Sequence, residues 1–83
     1  MFSLTNKTAI VTGGGSGIGK AISTVFSKQG AIVHLFDMDD AGGASTVEEI
    51  KKSGGIAFFH HCDVSSQAEV KRITTSIVEE KVG

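Results

Sequence analysis

Residues 12–20 run Thr12-Gly13-Gly14-Gly15-Ser16-Gly17-Ile18-Gly19-Lys20, a glycine-rich stretch between an apolar run and a helical pattern. A strand that must turn sharply into a helix beside an anion needs this composition. A Cβ would obstruct both the turn and the close approach of the backbone to a phosphate. Free N–H groups at the helix start then face the anion, and the helix dipole adds roughly 0.3–2 kcal/mol. The spacing is T-G-x-x-x-G-x-G, on Thr12, Gly13, Gly17 and Gly19, and G-x-G-x-x-G fits in no register. Side chains at Gly13 or Gly17 are expected to be the most disruptive additions, and Gly19 to let the helix pack closely on the strand. The chemistry indicated is a pyrophosphate cradle.

A second motif overlaps the first. Gly14-x-x-x-x-Gly19-Lys20 matches the first seven positions of a P-loop, with Lys20 where a phosphate-binding lysine belongs. The eighth position is Ala21, and alanine offers Mg²⁺ no ligand. A P-loop nucleotide hydrolase and a purely structural glycine turn remain as alternatives to the cradle.

Two aspartates extend the reading. Asp37 closes an apolar run eighteen residues after Gly19, where an acidic residue reaches an adenosine ribose and can accept hydrogen bonds from both hydroxyls. A 2′-phosphate at ~4 Å from it would be disfavoured by on the order of 4 kcal/mol per charge pair at an effective dielectric of about 20. The neighbours Met38, Asp39 and Asp40 carry no positive charge, so NAD is favoured over NADP. The alternative is that Asp37 only caps the next helix. Asp63 follows the next apolar run and precedes a helical pattern, a position where a capping role is the ordinary reading. His60-His61-Cys62-Asp63 has metal-ligand residue types, but strand alternation puts His60 and Cys62 on one face and His61 and Asp63 on the other. Two ligands per face do not complete a zinc shell, so no metal is expected.

The elements that must position these residues follow from periodicity. Thr8-Ala9-Ile10-Val11 reads as a strand buried on both faces. Ile18, Ala21, Ile22, Val25 and Phe26 form one helical stripe, closed by Gly30 as the residue after the helix. Ile32-Val33-His34-Leu35-Phe36 is a second strand, and Ala44, Val47 and Ile50 a thin stripe on a helix beginning near Ala41. The run from Ile56 to Cys62 is a third strand. Ser66 with Glu69 reads as a capping box, with Ser65 as the other possible cap, and Val70, Ile73, Ile77 and Val78 as the last stripe. The order β-α-β-α-β-α with short connections implies parallel pairing and right-handed crossovers. The fold class is α/β: half of a Rossmann-type parallel sheet with helices on both faces and strand order 3-2-1.

Composition fits one small soluble domain spanning residues 1–83, with 40% hydrophobic and 20% charged residues and a net charge of -1. No basic excess indicates nucleic acid, and no signal-peptide run or membrane-length apolar segment is present. A single cysteine, Cys62, permits no intrachain disulfide, so a cytoplasmic location is expected. The chain has no tyrosine, tryptophan or proline.

Thr12-Gly13-x-x-x-Gly17-Ile18-Gly19, together with Asp37 and Cys62-Asp63-Val64-Ser65, resembles the start of the short-chain dehydrogenase/reductase family over the whole chain. The resemblance implies that the glycine loop, with Gly13, Gly15, Ser16, Gly17, Ile18 and Gly19, holds the cofactor's phosphates. It implies that Asp37, with Met38 beside it, takes the adenosine ribose, that Asp63 binds the adenine amino group, and that the Val64 backbone contacts the adenine ring. The cofactor implied is NAD and the partner a small alcohol or ketone, with no nucleic acid or membrane. Members continue with an Asn-Asn-Ala-Gly segment, a catalytic serine and a Tyr-x-x-x-Lys pair, none of which this chain contains. The parent is thus expected to be a hydride-transfer enzyme and these 83 residues to hold no catalytic residue. A non-enzymatic NAD-binding or interaction module is the other reading. The first strand would lack its neighbour, an exposed edge expected to favour homo-oligomers unless the chain is an excerpt of a longer one.

Overall fold

A computed structural model describes residues 7–13 and 17–82, with side chains as far as residue 78. Gly14, Gly15 and Ser16 lie outside the described residues. The elements are β1 (Thr8–Thr12), α1 (Gly17–Lys28), β2 (Ile32–Asp37), α2 (Asp40–Lys52), β3 (Ile56–His61) and α3 (Gln67–Val82). The strands form one parallel sheet in the order β1-β2-β3, the expected 3-2-1 seen from its other edge. Thr8 pairs with Ile32 and Ile32 with Ile56, so the carboxyl ends of the strands finish side by side.

β2 is the strand buried on both faces. Val33 and Leu35 join Val11, Ala31, Ile50 and Ala57 under α1 and α2, while Phe36 joins Cys62, Ile73 and Ile77 under α3. Each fully buried side chain of this size contributes about 1.5–3 kcal/mol of transfer free energy. β1 departs from expectation. Val11 is buried, but Ile10 is 42% exposed, because α3 lies over Phe36 and Cys62 and leaves that face of β1 uncovered.

The helices also pack differently from their apolar stripes. α1 buries Gly19 and Ser23 and leaves Ile18, Ala21, Ile22 and Val25 exposed, Val25 by 55%; Phe26 alone of the stripe packs on the core. Small residues face the sheet because they let the helix axis come close, and Ser23 Oγ–H satisfies itself by donating to the Gly19 carbonyl at 2.8 Å. In α2 the buried positions are Gly43, Thr46 and Ile50, with Ala44 exposed. The Thr46 hydroxyl likewise donates inward, to the Gly42 carbonyl at 3.0 Å. On α3 the stripe ends at Ile77, and Val78 is 54% exposed.

α2 starts one residue earlier than expected because Asp39 caps it, accepting the Gly42 N–H at 2.9 Å. α3 is capped by Ser66, which accepts the Glu69 N–H at 3.3 Å. The Ser66 N–H bonds the Asp63 carbonyl at 2.9 Å, so only the forward half of the capping box forms.

Gly43 sits where α2 crosses β3, and a Cβ there would run into the Phe59 ring. Replacing Gly43 with alanine should therefore destabilise the fold by about 1–3 kcal/mol despite alanine's better helix propensity. Urea denaturation measures this, and an unchanged or higher midpoint would show that α2 does not approach β3 this closely.

Candidate functional site

The carboxyl ends of the three parallel strands build the site. At the end of β1 the chain leaves through Gly13 at φ 71, a left-handed conformation that side chains rarely adopt. The Gly13 N–H donates to the Phe36 carbonyl at 2.9 Å, which fixes this turn to the end of β2. The Cys62 N–H donates to the Asp37 carbonyl at 3.0 Å, tying the end of β3 to the other side of β2. Between them lies a cleft of about 180 Å³ lined by Gly13, Phe36, Asp37, Met38, Cys62, Asp63, Val64 and Ser65. Ligand pockets typically measure ~300–1,000 Å³, so this cleft suits one end of an elongated ligand. The structure thus brings together Gly13, Asp37, Met38, Asp63 and Val64, residues far apart in sequence.

The two aspartates are held by different turns. Asp37 Oδ1 accepts the Asp39 N–H at 3.1 Å. Helix capping falls to Asp39, so the capping alternative for Asp37 is corrected. Asp63 Oδ1 accepts both the Ser65 hydroxyl at 2.6 Å and the Ser65 N–H at 3.0 Å. The Ser65 hydroxyl, then its backbone N–H, hold the Asp63 carboxyl below its usual range, against a smaller opposing effect of burial. The carboxylate is therefore an acceptor at neutral pH, oriented toward the cleft's wall by its own turn. Ser65 is a site residue that the spacing alone did not single out; Asp63-Val64-Ser65, an aspartate two residues before a serine, was the available signal.

Gly17, Ile18 and Gly19 form the first turn of α1 and do not line the cleft. That turn has no acidic residue, whereas α2 and α3 carry Asp40 and Glu69 in theirs. Gly17 meets no protein constraint of the kind that Gly13 does. A Cβ there meets nothing within 4 Å and the backbone is not left-handed, so within the protein only Gly13 of this pair requires glycine. Ile18 is 80% exposed at the same turn. Lys20, the lysine of the P-loop alternative, is paired to Glu49 of α2 at 2.7 Å and braces the two helices.

The segment 60–63 divides across the sheet. His60 packs on the α3 side, its Nε2 2.8 Å from His34 Nδ1, with its ring stacked on His34 and meeting Phe36 edge-on. Cys62 is buried beneath α3, and burial first, then Glu69 and Asp63, push its thiol up against a smaller opposing effect of Arg72. His61 projects to the α2 side, where its Nδ1–H donates to Asp40 Oδ1 at 2.6 Å. Among the described residues no group of three or more His, Cys, Asp or Glu could hold a metal ion. No described helix is long and apolar enough to cross a membrane.

A family profile described as short chain dehydrogenase matches residues 7–83. The chain belongs to this family. A short-chain dehydrogenase/reductase homolog of Bacillus subtilis, YusS, is 46% identical over 74 residues, covering 88% of this chain and 68% of that protein. The 7alpha-hydroxysteroid dehydrogenase of Escherichia coli K12 is 40% identical over 70 residues, 84% of this chain but 28% of its own length. Among solved structures, a short chain dehydrogenase/reductase from Burkholderia phymatum in complex with NAD superimposes with a TM-score of 0.86 at 32% identity, covering 95% of this chain and 28% of that one. A metagenomic short-chain oxidoreductase in complex with NADP gives 0.87 at 32% identity, over 92% and 34% of the two chains. The chain spans about a third or less of the Escherichia coli, Burkholderia phymatum and metagenomic proteins, and its α/β fold is that of the family.

The Asp63 turn gives the chain an acid-side signature. A carboxyl lowered in the folded state contributes stability that is present above the ordinary value of 3.8 and lost as pH falls through the folded value. The stability gap between wild type and Ser65→Ala should thus be open at neutral pH and narrow on acidification. Thermal melts from about pH 2 to 7 read it, and a gap of constant size would rule out this role for the Ser65 hydroxyl.

Proposed function

We propose that this chain is the cofactor-binding part of an NAD-dependent oxidoreductase that interconverts an alcohol and a ketone or aldehyde by hydride transfer. The observation that carries the reading is the cleft at the carboxyl edge of the sheet, where Gly13 in a left-handed turn meets Asp37 and Asp63. Open parallel sheets bind ligands at this edge. The dinucleotide, when bound, supplies the hydride acceptor or donor. Everything else asked of these residues is binding and orientation.

Asp37 would accept hydrogen bonds from the ribose hydroxyls, and Asp63 from the adenine amino group, with Met38 and the Val64 backbone bordering the ring. Gly13, Gly15, Ser16, Gly17, Ile18 and Gly19 would hold the phosphates at the start of α1. NAD rather than NADP follows from the charge of residues 37–40, three carboxylates in four positions, which repel a 2′-phosphate. No tyrosine is available to move a proton, so the chain by itself is expected to bind without turning over substrate. The commitment of Lys20 to Glu49 disfavours the P-loop reading. A buried, protonated lone cysteine fits a reducing cytoplasm, and the exposed apolar flank of α1 beside edge strand β1 fits association with a second copy.

Calorimetric titration with NAD and NADP tests the proposal. Charged-group hydrogen bonds contribute about 1.5–3 kcal/mol, so Asp37→Ala should weaken NAD binding roughly 10- to 100-fold and move the preference toward NADP. Absence of dinucleotide binding by the wild type, or a preference unmoved by Asp37→Ala, overturns it.

A further inference from the structure

We propose that His61 is a positioning residue for the adenosine end of the site, acting through its ion pair with Asp40 on the turn that presents Asp37. The inference rests on the cofactor reading above and concerns a residue outside the cleft lining.

Parallel register places His61 directly beside Asp37. Side chains in register share a face, so both residues belong to the side covered by α2, and Asp40 is the first residue of that helix. The His61 Nδ1–H to Asp40 Oδ1 contact of 2.6 Å therefore pins the start of α2 to the end of β3. The chain between Asp37 and Asp40 is closed into a ring by this pin. On its other side the ring is closed by the Cys62 N–H bond to the Asp37 carbonyl at 3.0 Å. Inside it, Asp37 accepts from Asp39 and Asp39 accepts from Gly42. Both of these bonds join residues 37–42, so the pin limits how far the Asp37 carboxylate can swing. When protonated, His61 also sets a positive charge beside the Asp40 carboxylate, one of three in residues 37–40.

The charged groups acting on His61 are Asp40 from α2 and Glu69 from α3, and Asp37 of β2 lies beside it in the strand register. The hydrogen bond to Asp40, then its charge and more weakly that of Glu69, hold the imidazole above its ordinary value of 6.5, against a small effect of burial. A group raised in this way is fully paired below the ordinary value, and the pair weakens as pH rises through the folded value. Both partners are largely exposed, with side chains 57% and 72% accessible, so the effect is that of a solvent-screened pair. NAD should bind about two- to fivefold more tightly on the acid side than on the alkaline side, the range of exposed ion pairs. Reciprocity requires NAD to raise the His61 pKa by the logarithm of that factor, roughly 0.3–0.7 pH units.

The test is NAD affinity by calorimetry from roughly pH 5.5 to 9 for wild type, His61→Gln and Asp40→Asn, with the His61 ring followed by NMR with and without NAD. The wild type should lose two- to fivefold in affinity across the range, and both variants should be flat at the weaker value. A mere loss of stability would shift affinity without removing its pH dependence. NAD binding with a flat wild-type profile, or a profile retained in either variant, overturns the positioning role alone. A wild type that binds no NAD at any pH overturns the cofactor reading and this inference together.

Discussion

The parallel ladder through β2 is the constraint on which everything else depends. β2 is paired on both edges, in registers that bring Thr12 beside Phe36 and His61 beside Asp37. Two bonds at its carboxyl end, Gly13 N–H to the Phe36 carbonyl and Cys62 N–H to the Asp37 carbonyl, extend that pairing one residue beyond the neighbouring strands. A cleft exists there because three chains leave a level edge in different directions. A slip of one residue in either register would turn Asp37 or His61 to the opposite face and dismantle the site. Burial of Val33, Leu35 and Phe36 on the two faces makes such a slip expensive, which is how packing in the middle of the molecule secures geometry at its rim.

The helices serve the same edge from different distances. α1 approaches the sheet through Gly19 and Ser23, and α2 through Gly43, each exchanging apolar bulk for proximity. That proximity carries the helix starts up to the strand ends. Lys20 and Glu49 then hold α1 against α2 at 2.7 Å, and His61 holds the start of α2 against β3. α3 seals the other face over Phe36 and Cys62 and leaves Ile10 uncovered, while on the first face the flank of α1 with Ile22 and Val25 is exposed. In a doubly wound sheet those surfaces adjoin the strand beyond β1, and the relatives of known structure have two-thirds of their chain beyond the matched part.

The charges around the cleft divide the labour between binding and support. Asp63 is oriented by a turn of its own making, through Ser65, and its carboxylate is fixed as an acceptor. Asp37 is oriented by the turn it begins. Three carboxylates fall within residues 37–40, and His61 pairs with the last of them, Asp40. Under the proposed reading, selectivity against an additional phosphate and dependence on a histidine's charge both trace to one acidic turn.

Much of this was legible from residue order alone. Apolar runs ending in Thr12, Asp37 and Cys62 announced the strands, and glycine after the first of them announced a turn that, among the described residues, Gly13 makes at φ 71. Asp37 and Asp63 could be singled out because local patterns place a residue at the end of a strand whatever surrounds it. What periodicity could not rank was which side of a helix meets the sheet. α1 displays its apolar stripe outward because close packing selected small residues, and Gly43 matters through the Phe59 ring rather than through helix propensity. The pairs His34–His60, Lys20–Glu49 and Asp40–His61 join residues more than twenty positions apart. Local sequence records strand ends and turns because these depend on neighbouring dihedral angles; contacts between distant side chains exist only once register and helix approach are set, and those were decided by tertiary packing.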